Sequence, residues 1–205
     1  NTLELAVLST NPDSDGVIRL GKENIGECMQ KKLLRYDDSS EHYDTISAFI
    51  KSMRGSDPDA TVYYLAKMLE SGEDIRFIAR RIMICASEDV GNADPQALIL
   101  AVNASLAVER VGMPEAQIIL TQAACYIATA KKSNAAVKAI FAANEVVRKK
   151  GNLEIPSYLR DAHYSGHEQL GRGVGYKYPH DYLGHFVEQQ YLPDEIKDYR
   201  FYEED

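Results

Sequence analysis

Residues 114–130 read PEAQIILTQAACYIATA and decide the fold, because they predict a helix that is apolar almost all the way round. Pro114 suits the first turn of this helix, and Ile118 and Ile127 are among its apolar side chains. A helix of this kind is expected at the centre of a bundle, surrounded by other helices. The run is broken at Thr121 and is too short to span a bilayer.

Five more helices are predicted around this central one, from capping residues and from apolar residues at helical spacing. They run from Ser40 to Gly55, from Asp57 to Gly72, from Asp74 to Val90, from Asp94 to Arg110 and from Ser133 to Lys150. The first is expected to bury one face, made of Tyr43, Ile46, Phe49, Ile50 and Met53. The middle of the chain is therefore predicted to be an all-α helical bundle.

Residues 1–36 differ in character from this bundle. They predict a short helix from Leu3 to Leu8, a tiny β-ribbon at Val17–Leu20 and a helix from Lys22 to Tyr36. So few residues do not bury a sufficient core. Because the chain also starts at Asn1, apparently within a helix, we expect it to be a fragment of a longer protein, with processing to a mature form as the alternative.

The C-terminal region contains the segment GRGVGYKYPHDYLGHFVEQQYLP at residues 171–193. Its glycines and prolines exclude a long helix, and its aromatic residues make it too apolar for a free tail. We expect an irregular strap, packed on the bundle or on a neighbouring subunit, within a tail at residues 166–205. Residues expected to lock or assemble the strap are Arg172, Tyr176, Tyr178, His180, Tyr182 and Phe186.

Composition and charge limit the function classes. The chain has 205 residues, of which 45% are hydrophobic and 26% charged, as expected of a soluble, cytoplasmic globular protein. The formal net charge of -8 belongs mostly to the tail, because residues 151–205 carry five basic and eleven acidic groups. This distribution argues against a strong independent DNA-binding protein. Cys28, Cys85 and Cys125 lack CxxC spacing and are interpreted as buried thiols.

Any contact with DNA would need a local cationic patch. The candidates are Arg80, Arg81, Lys131, Lys132, Lys149 and Lys150. Cations near helix C-termini also favour the helix dipole without any ligand, so a solvated helix face is the simpler interpretation. A ring of subunits would multiply a modest patch, which leaves weak DNA contact by an assembly open.

Three other patterns resemble catalytic or ligand sites. Gly171–Gly175 offers backbone N–H groups to a phosphate, but it does not connect a strand to a helix, so a tight turn is preferred. His163 with His167, and His180 with His185, suggest metal ligands, but Gly166 interrupts the first pair, Gly184 interrupts the second, and Pro179 directly precedes the second. Hydrogen bonds that lock the strap are the preferred role of these histidines. The adjacent carboxylates at residues 88 and 89 are a poor acid–base pair, with a hydrogen-bonding or inter-subunit role preferred.

Long strings of sequence carry a family resemblance. RGSDPDA at residues 54–60, ASEDVGNADPQAL at 86–98 and YKYPHDY at 176–182 closely resemble the C-terminal half of the MgsA/RarA family. These are replication-associated recombination ATPases of the AAA+ class, similar to clamp-loader subunits and to the Werner-helicase-interacting protein. The resemblance covers nearly the whole chain.

The resemblance implies a division of the chain and of its function. Residues 1–36 would be the end of an AAA+ lid, and residues 40–165 an oligomerisation domain similar to the clamp-loader collar, assembling as a homo-oligomer, typically a tetramer. ATP and Mg²⁺ would bind an N-terminal core, and this sequence contains no GxxxxGK[ST] motif. We therefore expect no cofactor in this chain, no metal site and no ATP hydrolysis.

Three functions are weighed on these grounds. The first is an oligomerisation and lid-end module of an AAA+ ATPase that acts in DNA replication, recombination and repair at stalled forks. Its partners would be other copies, DNA through the full assembly, and replication proteins, with no membrane and with association with the nucleoid. The second is an independent DNA-binding helical module. The third is a metal-dependent hydrolase that uses the tail histidines.

Overall fold

The computed structural model of the chain describes residues 7, 10, 12, 13, 15–21, 39–163 and 171–204. Within these residues the regular elements are helical and there is no strand, so the predicted all-α fold is confirmed. The α-helices are α1 (Ser39–Arg54), α2 (Pro58–Glu70), α3 (Ile75–Cys85), α4 (Gln96–Val111), α5 (Ala116–Thr129) and α6 (Ala135–Lys150). Each corresponds to one of the six predicted helices.

Two aspartates cap helices, Asp57 as predicted and Asp74 at the expected start of the third helix. The Asp57 carboxylate accepts a hydrogen bond from the backbone N–H of Ala60 at 2.9 Å, and Pro58 occupies the first turn of α2. At the start of α3, the Asp74 carboxylate accepts from the N–H of Arg76, also at 2.9 Å. Each carboxylate satisfies an N–H group that has no partner within the helix, and so fixes where the helix begins.

The predicted helix from Asp74 to Val90 is wrong in its last turns. The α-helix ends at Cys85, and a π-helical turn at Ala86–Val90 and a 3₁₀ turn at Gly91–Ala93 follow it. Gly91 has a φ of 52°, and a Cβ atom there would lie 2.9 Å from the backbone oxygen of Ser133. The backbone at residue 91 lies so close to the backbone at residue 133 that position 91 requires a glycine.

The structure divides into two compact units, residues 1–134 and 135–205. In the first unit, α5 packs against α1, α2, α3 and α4, which confirms its central place. Its buried side chains are Ala116, Leu120, Ala123, Ala124, Ile127 and Ala128. Ile118, expected in the core, is exposed instead, because it lies away from this buried face.

The largest buried side chains of the first unit come from α1, α2, α3 and α5. They include Phe49, Met53, Leu65, Met68, Ile78, Ile82, Leu120 and Ile127. The predicted core face of α1 is confirmed for Ile46, Phe49 and Met53, and Ile50 is partly buried against them. Tyr43 was wrongly expected in this core, because its side chain at the N-terminal end of the face is exposed.

The second unit contains α6 and a series of short turns. Single 3₁₀ turns lie at Ser157–Leu159, Pro179–Asp181, Leu183–His185 and Asp194–Ile196. The Tyr158 hydroxyl donates a hydrogen bond to the backbone oxygen of Gln190 at 2.7 Å and joins the first of these turns to the chain between the last two. The C-terminal segment is therefore irregular, as predicted.

Few of the first 36 residues are described. Asp13 organises a turn, since its side chain accepts hydrogen bonds from the N–H groups of Asp15 and Val17 at 2.9 and 3.0 Å. Residues 17–20 form no strand, so the expected β-ribbon is wrong at this run. The helices expected at residues 3–8 and 22–36 lie outside the described residues, apart from residue 7.

Candidate functional site

Two of the quoted sequence strings, at residues 54–60 and 86–98, meet at a buried carboxylate. Nε of Arg54 donates a hydrogen bond to Oδ1 of Asp89 at 2.5 Å, and Nη2 of Arg54 lies 3.3 Å from Oε1 of Glu88. Asp89 is buried in the π-helical turn, and its backbone oxygen accepts from the N–H of Ser133 at 2.9 Å. The cluster links the end of α1, the turn after α3 and the loop after α5.

A thiol completes the surroundings of this carboxylate. Sγ of Cys85 donates a hydrogen bond to Oδ2 of Asp89 at 3.2 Å. Burial raises the pKa of the Cys85 thiol to about 12, and the hydrogen bond to Asp89 reinforces the shift. A thiol held protonated in this way is a poor nucleophile. Asp89 thus has the hydrogen-bonding role preferred from the sequence.

Lys132, a DNA-contact candidate, is engaged in the same region. Its ammonium donates to the backbone oxygens of Ile127, Ala128 and Ala130 at 2.7 to 3.0 Å, and to Oγ of Ser56 at 3.1 Å. These oxygens include carbonyls left unpaired at the end of α5, where a cation also favours the helix dipole. These hydrogen bonds therefore account for the position of the Lys132 ammonium without a bound ligand.

The other cation candidates occupy separate places. Arg80 is exposed, with its guanidinium 5.9 Å from the ring centroid of Phe77, and Arg81 is half-buried beside it on α3. Lys131 is exposed in the loop after α5. On α6, Lys149 is ion-paired with Glu145, and the Lys150 ammonium lies 5.4 Å from the ring centroid of Tyr199. Several candidates are thus bound by neighbouring groups.

The most unusual surface in the first unit is one side of α4. Its inner face is made of small residues, namely Ala97, Ala101, Ala104 and Val108, all buried. Its outer face is made of larger ones: Leu98 is 41% exposed, Ile99 52%, Val102 40% and Leu106 53%. At 3.6 residues per turn, these four lie within an arc of about 100°. We call them the outer face of α4.

This outer face was missed by the sequence reasoning. The segment from Gln96 to Val111 is apolar on two sides, and that pattern was available as a signal. Periodicity does not show which of two apolar sides faces the core. The structure decides this, because the small side chains allow close packing of α4 on α3 and α5.

A second apolar surface projects from the strap. Leu183 is fully exposed and Phe186 is 75% exposed. The backbone between them passes through two residues of positive φ, Gly184 at 72° and His185 at 57°. Since a positive φ at a non-glycine residue is uncommon, this turn is held in an unusual conformation. Leu183, absent from the candidates, is its most exposed apolar residue.

The aromatic strap candidates each keep part of their surface exposed. Tyr176, Tyr178 and Tyr182 are each about half exposed. The ring of His180 lies between two others, with centroids 5.1 Å from Tyr178 and 4.9 Å from His185. Packing of these rings on the bundle or on a neighbouring subunit stays a prediction.

The glycine loop of the strap is a tight turn. Gly173 has a φ of 74°, and a Cβ atom there would lie 2.6 Å from Cβ of Ala162. Its N–H donates to the backbone oxygen of Ser157 at 3.0 Å. Arg172, the candidate next to it, is half-buried. Close packing of the loop on its neighbours supports the preferred interpretation over a phosphate-binding loop.

The ligand-binding alternatives find no support in the described part of the chain. No group of three histidine, cysteine or acidic side chains there is arranged to hold a metal ion. His163 is almost fully exposed, and its proposed partner at residue 167 lies outside the described residues. Among the residues described, no helix is both long and apolar enough to cross a bilayer.

Two family models match the chain. Residues 55–205 match the model described as MgsA AAA+ ATPase C terminal, and residues 1–54 match the model described as AAA C-terminal domain. The boundary between the two matches falls directly after Arg54, the residue that is paired with Asp89.

Curated relatives carry replication-related names. The chain is 48% identical over 203 residues to "Replication-associated recombination protein A" of Bacillus subtilis, covering 98% of this chain and 48% of the relative. It is 38% identical to the Escherichia coli K12 protein of the same name, covering 98% and 46%. Against "ATPase WRNIP1" of Dictyostelium discoideum the identity is 40%, covering 93% and 22%. The chain thus spans about half the length of the bacterial relatives. It belongs to the MgsA AAA+ ATPase C-terminal family.

Proposed function

We propose that this chain is the oligomerisation portion of an AAA+ ATPase that acts in DNA replication, recombination and repair. The observation that carries the proposal is the outer face of α4. Leu98, Ile99, Val102 and Leu106 form a continuous apolar side of a helix whose opposite side is already in the core. A helix apolar on both sides is typical of one buried within a larger assembly.

The free energy available from covering this face is appreciable. Full burial of such a side chain contributes about 1.5–3 kcal/mol, so covering the exposed half of each contributes about 1 kcal/mol per residue. Four residues on each of two subunits would then supply several kcal/mol, against an entropic cost of association of similar or larger size. A second surface is therefore needed for a stable assembly, and the strap offers one.

The strap turn suits such an additional contact. Leu183 and Phe186 project from a turn shaped by Gly184 and by the contact between the His180 and His185 rings. A side chain presented on a preformed turn loses little conformational entropy when it enters a pocket on another subunit. We expect copies of this chain to assemble into a homo-oligomer, typically a tetramer, through a domain similar to the clamp-loader collar.

The activity of the whole protein is part of the proposal. ATP and Mg²⁺ would bind residues of the longer protein outside this chain, and the assembled helical portions would transmit nucleotide-driven motion to DNA at stalled forks. Names of relatives that mention replication-associated recombination and ATPase support this assignment. Replication proteins and DNA would then be partners of the full assembly.

Sedimentation velocity of the purified chain tests the proposal. Between low and high micromolar concentration, a shift from monomer to a larger species is expected, because covering apolar surface drives the association. A chain that remains monomeric throughout this range would contradict the oligomerisation role.

A further inference from the structure

A groove in the first unit is not part of either assembly surface. It lies between α1 and α3 and has a volume of about 500 Å³. Ile46, Ile50 and Phe77 supply its apolar floor, and the exposed ring of Tyr43 stands beside them. A volume of this size is within the usual range for a binding groove.

The edge of the groove is cationic. Lys51 and Arg81 both line it and make no ion pair within the described residues, and Nε of Arg81 has no hydrogen-bond acceptor there. A third cation, Arg54, also lines the groove but is paired with Asp89 and Glu88. Glu88 is the carboxylate among the lining residues, so two cations remain uncompensated.

We propose that this groove binds an acidic amphipathic segment of a partner protein. A helical segment laid between α1 and α3 would place its apolar side chains on Ile46, Ile50 and Phe77. Its carboxylates would face Lys51 and Arg81, where charge complementarity fixes the orientation and excludes basic segments. Arg81 is half-buried on α3, and its guanidinium makes no ion pair within the described residues. It would therefore pair with a carboxylate of the bound segment.

The floor of the groove favours a peptide over single-stranded nucleic acid. Nucleic acids of that kind are bound by open aromatic faces on which bases stack, beside a row of cations that follows the phosphates. Here two isoleucines line the groove and Phe77 is only half exposed, so the exposed ring of Tyr43 offers one stacking surface and not a row of them. Aliphatic side chains accept leucine or isoleucine better than a base.

Selection from a displayed peptide library tests the proposal. Random peptides of about twelve residues, long enough for three helical turns, are selected against the immobilised full chain. We expect the selected peptides to be enriched in Asp and Glu, with apolar residues at i, i+3 and i+4. Their affinity for Lys51→Glu is expected to fall about tenfold or more, as on reversing a charge in contact with the ligand.

A matched variant and a second ligand make the outcome decisive. Lys131→Glu reverses an equally exposed cation outside the groove and is expected to leave peptide affinity unchanged. Lys51 is also exposed, so its reversal leaves the fold intact, which circular dichroism verifies. Selected peptides without acidic enrichment, or affinity equal in both variants, would overturn the proposal. Binding of a fluorescent oligothymidylate that is weakened by Lys51→Glu and not by Lys131→Glu would also overturn it, because the groove would then bind nucleic acid.

Discussion

Arg54 and Asp89 form an ion pair in which Nε of the guanidinium and Oδ1 of the carboxylate are 2.5 Å apart. Arg54 is the last residue of α1, and Asp89 lies in the π-helical turn after α3. Hydrogen bonding to Asp89 raises the pKa of Arg54, so the guanidinium stays protonated. The pair fixes the turn that precedes α4 and so contributes to the position of its outer face.

Removal of this arginine should destabilise the bundle. In Arg54→Ala the buried Asp89 carboxylate loses its strongest donor, and a loss of about 1–3 kcal/mol in the free energy of unfolding is expected. Urea unfolding followed by circular dichroism measures it. Arg76→Ala, which breaks an exposed pair with Asp74, serves as the control and should cost less than about 1 kcal/mol. Equal losses in the two variants would refute the role of the pair.

Cys85 should make stability depend on alkaline pH. Its folded-state pKa of about 12 lies above the ordinary value of 9.0, so the thiolate forms first in the unfolded chain. The contribution is fully present below pH 9 and is lost as the pH rises towards 12. Between these values the unfolding free energy of the native chain should fall more steeply than that of Cys85→Ala. Parallel curves would show that this thiol ionises alike in both states.

The cap of α2 gives a local prediction. Asp57→Ala removes the acceptor for the N–H of Ala60 and should lower the free energy of unfolding by about 0.5–2 kcal/mol. Asp59→Ala removes a carboxylate from the same turn without removing the cap, and so isolates the hydrogen bond from the charge. The same urea titration distinguishes them, and a larger effect for Asp59→Ala would contradict the capping role.

Truncation tests the strap as an assembly element. A chain that ends before Gly171 lacks Leu183, Phe186 and the strap tyrosines, and should form weaker oligomers at equal concentration. Light scattering coupled to size-exclusion chromatography measures this. The double variant Leu183→Ser/Phe186→Ser removes the two exposed side chains alone, and should reproduce the loss while the rest of the tail stays in place. Unchanged oligomers in both would exclude the strap from the interface.

The helical bundle followed from the sequence because its signals are local. Caps such as Asp57 and Asp74, and apolar residues at helical spacing, depend on neighbours within one or two turns. The π-helical turn was not predicted, because it depends on Asp89 meeting Arg54 and Ser133, which are distant in sequence.

The assembly surface was less predictable than the fold. The apolar content of α4 was visible, but the choice of Ala101 and Ala104 for the core, and of Ile99 and Leu106 for the surface, is made by packing against other helices. The same limitation explains Ile118, whose apolar character predicted burial in the core and whose side chain is exposed. The sequence shows which side chains are apolar, and the structure shows which of them are buried and which are exposed.

Sedimentation of a variant of the outer face of α4 tests the central claim most directly. Ile99→Glu/Leu106→Glu places two charges on this face, where burial against another subunit would leave them unpaired. Val62→Glu/Tyr63→Glu, on the exposed side of α2, is the control. We predict a monomer for the α4 variant at a concentration where the control remains oligomeric, with both folded by circular dichroism. An α4 variant as oligomeric as the native chain would contradict the account.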